Sequence, residues 1–407
     1  LDMKKDPFLV VLLISSTWTQ PTPGEAIERI PDEKTGLAGG VAVTDSALAH
    51  TAQFMALDSK GEVIGKGDPL AQALNVLERL ETTIEACESN IDRLVKLNVY
   101  VDSPETAEKV RDLFRRKFAG ANPPAVAFVE TPLPHPDAQV AMDAVVATDL
   151  ASGGDPLKLK RPDSDYGVPE IAHAGLLPKG PAVYVSGQAE QGPLSIATRK
   201  TLESLERTLE FLGLDLTRVV QIKSFLSPMA QSDVVRQEID AFFGEVRTPP
   251  LVFVEWKSTL PIEIEVIAAG HTDPSSGNRT LPIEYLNPPE IEASPIFSRV
   301  VRVNSPSRIY VSGLYGGGEE EPGREVERIF ESMSDLLARL GGDLRHLAKA
   351  TYYVSTSEAS SKLNELRPKY YDPERPPAAS KAMVHGVGME GRSSSLDMIA
   401  VPVPKKP

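Results

Sequence analysis

An α+β fold built three times over follows from three landmarks that recur in one order along the 407-residue chain. A double proline stands at Pro123-Pro124, Pro249-Pro250 and Pro376-Pro377, at nearly equal spacing. A small-residue turn closes an apolar run at Thr51-Ala52-Gln53, Ser186-Gly187-Gln188 and Ser312-Gly313-Leu314. A helix-to-strand junction of one pattern begins at Asn90-Ile91-Asp92, Asp215-Leu216-Thr217 and Asp343-Leu344-Arg345. A period this long is a whole domain rather than the unit of a solenoid.

Within each unit the elements follow in a fixed order. An apolar strand runs into the small-residue turn, and a long amphipathic helix comes next. In the first unit it starts at Asp68-Pro69, an N-cap followed by proline at the first helical position. Its expected apolar stripe is Leu70, Leu74, Leu77, Leu80, Ile84 and Cys87, spaced by three or four. The matching stripes are Leu202, Leu205, Leu209, Leu212 and Val326, Ile329, Phe330, Met333, Leu337, Leu340. A strand follows, such as Leu97 to Val101 or Ala350 to Val354, and then a shorter helix ending in an aromatic at Phe118, Phe242-Phe243 or Tyr370-Tyr371. Two strands close the unit, the last being Val140 to Ala147, Ile262 to Ala269 or Leu396 to Val401. This mixture predicts helices on one face of a sheet. The expected domains are residues 36–150, 166–271 and 284–403, joined by polar, turn-forming links near Ala151 to Pro156 and Thr272 to Gly277.

Composition narrows the function. The formal net charge is −14, and the longest basic run is Arg115-Arg116-Lys117, so a nucleic-acid partner is not expected. The single cysteine, Cys87, excludes an intrachain disulfide and reads as a buried core residue. None of the six histidines has a partner at metal-ligand spacing, so neither metal nor cofactor is expected. Gly316-Gly317-Gly318 runs into Glu319-Glu320-Glu321, which would repel phosphate. Residues 1–26 read as a secretory leader: Met3-Lys4-Lys5, then the apolar Phe8 to Ile14, then Gly24-Glu25-Ala26 as a cleavage site. The apolar part is too short to span a bilayer. Export to the periplasm is the expectation, and a cytoplasmic protein with an N-terminal extension is the alternative.

Val185-Ser186-Gly187-Gln188, the double-proline step and the ending Ile262-Glu263-Ile264-Glu265-Val266-Ile267-Ala268 resemble the RidA/YjgF (L-PSP) family, as does Pro295-Ile296-Phe297-Ser298 in the third unit. The resemblance covers roughly residues 36–403, three times over. It implies a chorismate-mutase-like fold, a mixed sheet with two helices on one face. Because family members are homotrimers, it also implies that one chain forms a monomeric pseudo-trimer. Active members hydrolyse enamine or imine intermediates to 2-oxo acids and ammonia. The resemblance assigns an arginine after the double proline to the substrate carboxylate, and a glutamate in the last strand to a water.

Here the arginine is replaced by Val126, Leu251 and Ala379, and the glutamate survives only as Glu263, with Ala141 and Ser395 at the other two places. An apolar side chain cannot pair with a carboxylate. Residues i and i+2 of a strand share a face, so Lys381 stands one pleat from Ala379, while Phe128 and Phe253 occupy the corresponding places in the other units. A family cleft asparagine is matched by Asn364 and, in the first two units, by Arg111 and Arg236. Candidate catalytic residues are therefore Glu263 and Lys381. Candidate ligand-binding residues are Arg111, Arg236, Asn364, Ser186, Gly187, Phe128 and Phe253. The expected function is binding of a small organic ligand in interdomain clefts by a degenerate scaffold. An active imine deaminase with relocated residues is the alternative, and an endoribonuclease or translation inhibitor stands behind both.

Overall fold

A computed structural model describes residues 27–33, 35–150, 157–162, 171–271, 281–289, 294–316 and 321–403. The leader (residues 1–26), the start of the second expected domain, both links and most of the Gly-Glu run lie outside the described residues. Among the described residues no helix is long and apolar enough to cross a membrane.

The first segment contains strands β1 (Ile27–Asp32), β2 (Leu37–Thr44), β3 (Ala47–Thr51) and β4 (Phe54–Met55), helix α1 (Pro69–Ala86), β5 (Leu94–Val101), α2 (Pro104–Lys117), β6 (Ala125–Glu130) and β7 (Val140–Thr148). The middle segment contains β8 (Leu159–Lys160), β9 (Ala174–Leu177), β10 (Ala182–Gln188), α3 (Leu194–Phe211), β11 (Val219–Leu226), α4 (Ser232–Phe243), β12 (Leu251–Glu255) and β13 (Ile262–Ala269). The last contains β14 (Ile283–Leu286), β15 (Val300–Val303), β16 (Ser307–Val311), α5 (Pro322–Arg339), β17 (Leu347–Val354), α6 (Ser357–Leu366), β18 (Ala378–Met383) and β19 (Ser394–Ala400).

The long helices form where the stripes predict them. Asp68 caps α1 by accepting from the backbone N–H of Leu70 and Ala71, and Pro69 sits at the first helical position, where no N–H is needed. The stripe needs one correction: Leu74 is 53% exposed, and Ala73, Val76, Leu77, Leu80 and Ile84 are buried instead. At about 100° per residue, Leu74 lies about 120° from Leu80, beyond the buried face. Cys87 is buried as expected, and burial pushes its thiol up to about 11. The helix-to-strand junctions are short 3₁₀ turns capped by the side chains of Asn90, Asp215 and Asp343.

In the first segment the strand order is β6-β5-β7-β3, with β5 and β6 parallel and the other pairs antiparallel. The middle and last segments give β12-β11-β13-β10 and β18-β17-β19-β16 with the same directions, β11–β12 and β17–β18 being the parallel pairs. Helices α1 and α2 pack on one face through Leu77, Leu80, Ile84 and Phe114 against Leu97, Val99 and Val126. Fully burying a side chain of this size contributes about 1.5–3 kcal/mol.

Between segments the strands join edge to edge: β3 pairs with β9, β10 with β15, and β16 with β2, all antiparallel. Each segment thus lends its second strand, β2, β9 or β15, to another segment's sheet, and the three exchanges form a closed cycle. The sheet faces opposite the helices meet in shared apolar layers, one holding Val41, Tyr184 and Tyr310 and the other Val129, Trp256 and Val384.

The ladders correct one register. His50 pairs with Val145, Tyr184 with Ile267, and Tyr310 with Ile399. Ala52, Ser186 and Ser312 therefore correspond, and the first-segment turn begins one residue later than Thr51.

Candidate functional site

Each edge strand, β6, β12 or β18, lies beside the turn that ends β16, β3 or β10 of another segment, which creates three junctions. Serine hinges two of them. Ser312 Oγ accepts from Val126 N at 2.9 Å and donates to Ala38 O. Ser186 Oγ accepts from Ala379 N at 2.7 Å and donates to Ser298 O. Ala52 cannot do this, and the side chain of Gln53 takes over. Its Nε2 donates to Phe253 O at 3.0 Å and its Oε1 accepts from Phe253 N at 3.2 Å.

The junction of β10 with β18 gathers five of the nine sequence-predicted residues: Ser186, Gly187, Glu263, Lys381 and Asn364. Glu263, on β13, stands over Gly187, where a Cβ would collide with its carboxylate; glycine is required here by close approach. Burial pushes the Glu263 carboxyl up to about 7, with Glu265 adding to the rise, while the Ser380 hydroxyl, Arg299 and Lys381 pull it down. The Lys381 ammonium donates to Ser360 Oγ at 2.9 Å and Asn364 Oδ1 at 3.2 Å. Burial, then neighbouring Arg367, lowers its pKa. A carboxyl near neutrality beside an ammonium can exchange a proton with a bound water or substrate. Sequence reading missed Arg299 and Ser380, which no motif marks.

The junction of β6 with β16 is filled by the protein itself. Arg111, 3% exposed, lies 4.7 Å over the Phe128 ring and donates to Gly388 O at 2.6 Å and Glu108 Oε2 at 2.5 Å. Gly388 has a φ of 73° and so close an approach to Phe128 that a Cβ would collide. Its N–H donates to Glu130 Oε1. At the place of Glu263 stands Ser395, beside Gly313. Arg111 and Phe128 are thus a packed pair under the last segment's loop.

The junction of β3 with β12 opens into a cavity of about 250 Å³. Phe54, Leu57, Ile171, Leu251 and Phe253 form its apolar wall, and Arg161, His173, Asp233 and Arg236 its polar one. Arg236 pairs with Asp233 at 3.0 Å. Arg161 donates to Ile171 O at 3.0 Å and to His173 Nε2 at 2.8 Å. The Phe54 and His173 rings meet edge to face at 5.2 Å. Arg161 and His173 were missed in the sequence reading; a cluster of Lys158, Lys160 and Arg161 in an acidic chain is the signal that could have marked the first.

Among the described residues no group of three or more His, Cys, Asp or Glu side chains is placed to hold a metal ion.

Residues 40–148, from within β2 to the end of β7, match the family model described as Endoribonuclease L-PSP. No curated protein matches the chain. Solved structures that it resembles include a Rid family protein, YyfB, from Yersinia pestis (24% identity, TM-score 0.28, covering 30% of this chain and 98% of that one). Others are NMB1025, a YjgF family member from Neisseria meningitidis (18%, 0.24, covering 30% and 97%), and the YjgF gene product of E. coli (22%, 0.22, covering 27% and 82%). The match to this family model is confined to residues 40–148, and over that stretch the chain is similar to the L-PSP family.

Proposed function

We propose that the three segments are three fused RidA-type domains, folded as a monomeric counterpart of a trimer, and that this body binds a small organic ligand between its first and second domains. The observation that carries the ligand reading is the open, mostly apolar cavity of about 250 Å³ at the β3–β12 junction, which has no carboxylate at the place of Glu263 but Ala141. Such a concave apolar site with a few polar groups is built for binding. The closed cycle of strand exchanges supports the single-chain assembly, because fusion keeps the three partners at high local concentration.

A second reading, imine or enamine hydrolysis, is favoured by one observation: Glu263, with a carboxyl near 7, shares the β10–β18 junction with Lys381. There Glu263 would take a proton from water as the water adds to the C=N carbon, and the tetrahedral adduct would release ammonia to leave the 2-oxo acid. Lys381 would hold the substrate carboxylate.

One set of measurements tests both. Ligand-detected NMR of the full chain against a panel of small organic acids, amides and amines is expected to give saturable binding that Met55→Trp, filling the cavity from its rim, abolishes. Binding unmoved by Met55→Trp, or no binding across the panel, defeats the cavity reading. Release of 2-oxo acid from freshly generated 2-aminoacrylate is expected to match buffer alone; a faster rate that falls with Lys381→Ala would establish the second reading instead.

A further inference from the structure

The interior that the three segments share contains a group of polar side chains that the proposed ligand cavity does not use. His50 on β3, Tyr184 on β10 and Tyr310 on β16 hold equivalent places, opposite Val145, Ile267 and Ile399. Alternation along the strands turns them to the same side as Leu48, Ala182 and Val301, within the apolar layer. Arg308 lies two residues before Tyr310, on the same face, where the other two segments have Leu48 and Ala182. All four side chains belong to residues no more than 2% exposed. Burial of this kind ordinarily comes with hydrogen-bond partners. Among the described residues, both nitrogens of His50, the hydroxyls of Tyr184 and Tyr310, and Arg308 Nε have none. Arg308 Nη2 donates to Gly180 O at 2.8 Å. No carboxylate of the described residues pairs with this guanidinium, whereas the buried Lys96 and Lys349 pair with Asp397 and Glu265.

The four groups act on one another. Burial raises the pKa of both phenols, Arg308 opposes the rise in each, and the two hydroxyls influence each other. Both stay protonated and can donate. Burial first, then Arg308, Lys349 and Lys223, hold the His50 imidazole down at about 3. It is neutral, offers one N–H, and the charges acting on it are all cations. An arginine does not shed its proton inside a protein, so the charge of Arg308 stays. Water would satisfy the hydroxyls but would leave that charge uncompensated in an apolar layer, which is strongly disfavoured. A metal cation would be repelled. Donors gathered around one fixed positive charge suit a small negative ion, and charge-assisted hydrogen bonds are the strong ones.

We infer that Arg308, Tyr184 and Tyr310, with His50 beside them, hold a small inorganic monoanion of halide size inside the shared interior. The site is separate from the β3–β12 cavity, whose lining includes none of these residues, and it does not rest on the ligand-binding reading. Bromide is the probe, because it scatters X-rays anomalously. The full chain, exchanged into sodium gluconate, is melted with increasing sodium bromide at constant ionic strength. The wild type is expected to gain roughly 3 °C in Tm at about a hundredfold excess over Kd, along a saturating curve. Arg308→Leu, which installs the residue that the first segment has at this place, is expected to lose the rise. Tyr310→Phe keeps the ring, removes one donor and is expected to raise the half-saturating bromide concentration roughly tenfold. Crystals of the full chain grown with bromide are expected to show an anomalous peak within hydrogen-bond reach of Arg308 Nε and both hydroxyls. If Arg308→Leu does not fold, Tyr310→Phe and the crystal carry the test. Absence of that peak overturns the assignment. So does a rise in Tm that never saturates and is the same in Tyr310→Phe, which is a bulk salt effect.

Discussion

Glu263 is the residue whose chemistry departs furthest from what its strand alone suggests. In Ile262-Glu263-Ile264-Glu265 the alternation puts both glutamates on the face away from the helices. Gly187 lets the Glu263 carboxylate approach the backbone, and burial then raises its pKa from 4.5 to about 7. In the unfolded chain it stays near 4.5, so the folded state binds the proton more tightly. The stability this contributes is complete below about pH 4.5 and is lost as pH rises through 7. Glu263→Gln removes that loss. Urea unfolding is expected to show the variant more stable than wild type by on the order of 2 kcal/mol at pH 8, allowing for partial exposure, with little difference at pH 4.5. A difference that does not change with pH would mean that Glu263 titrates as an ordinary surface carboxyl. The sequence marked Glu263 and Lys381 separately, as remnants in two different units. Their meeting was not legible, because it depends on which segment's edge strand lies beside which turn, and no local pattern encodes that.

At the scale of elements, local chemistry was legible and register was not. The start of α1, the three 3₁₀ turns and the terminal strands follow from caps, prolines and apolar periodicity. The turn after β3 was misread by one residue because Thr51 resembles Ser186, whereas the ladder aligns Ser186 with Ala52. A slip of one reverses the face of every side chain in a strand, so only the cross-strand partners decide it. The Leu74 error has a similar origin, since leucines at plausible spacing outweighed the smaller Ala73 and Val76 that form the buried face. Of the three long helices α1, α3 and α5, only α1 has a side-chain cap at its N-terminus. Asp68→Ala is therefore expected to cost about 1 kcal/mol in denaturant unfolding, and Asp68→Ser to recover most of it. No loss on Asp68→Ala would show that the first turn is held by packing rather than by its cap.

At the scale of the whole molecule, the three segments share a charged layer to which each contributes. Between the two shared apolar layers lie Lys96, Lys223 and Lys349 with Asp143, Glu265 and Asp397, one cation and one anion from each segment, all buried except the half-buried Asp397. Lys96 pairs with Asp397 at 2.8 Å and Lys349 with Glu265 at 2.7 Å, each across a segment boundary. Asp143 accepts from Asn98 at 2.9 Å and Tyr100 at 2.6 Å. Burial works against the Lys223 ammonium, but Tyr353, Asp143, Glu265 and Asp397 outweigh it and keep the group charged. Asp397 is likewise opposed by burial and held below the usual carboxylate range by Lys96 and Lys223. The places differ between segments: Asn98, Lys223 and Thr351 occupy equivalent ladder positions, opposite Asp143, Glu265 and Asp397. Buried ion pairs contribute little net stability but are costly to break. Lys223→Met leaves three carboxylates facing two ammonium groups and is expected to destabilise the chain by about 3–5 kcal/mol at pH 7.5. The deficit should shrink toward pH 5, because one carboxylate of the variant takes up a proton on folding and acid favours that uptake. Urea unfolding at the two pH values measures both effects. A loss below about 1 kcal/mol that is the same at both would show that these shared charges are solvated and that the apolar layers alone hold the three segments together.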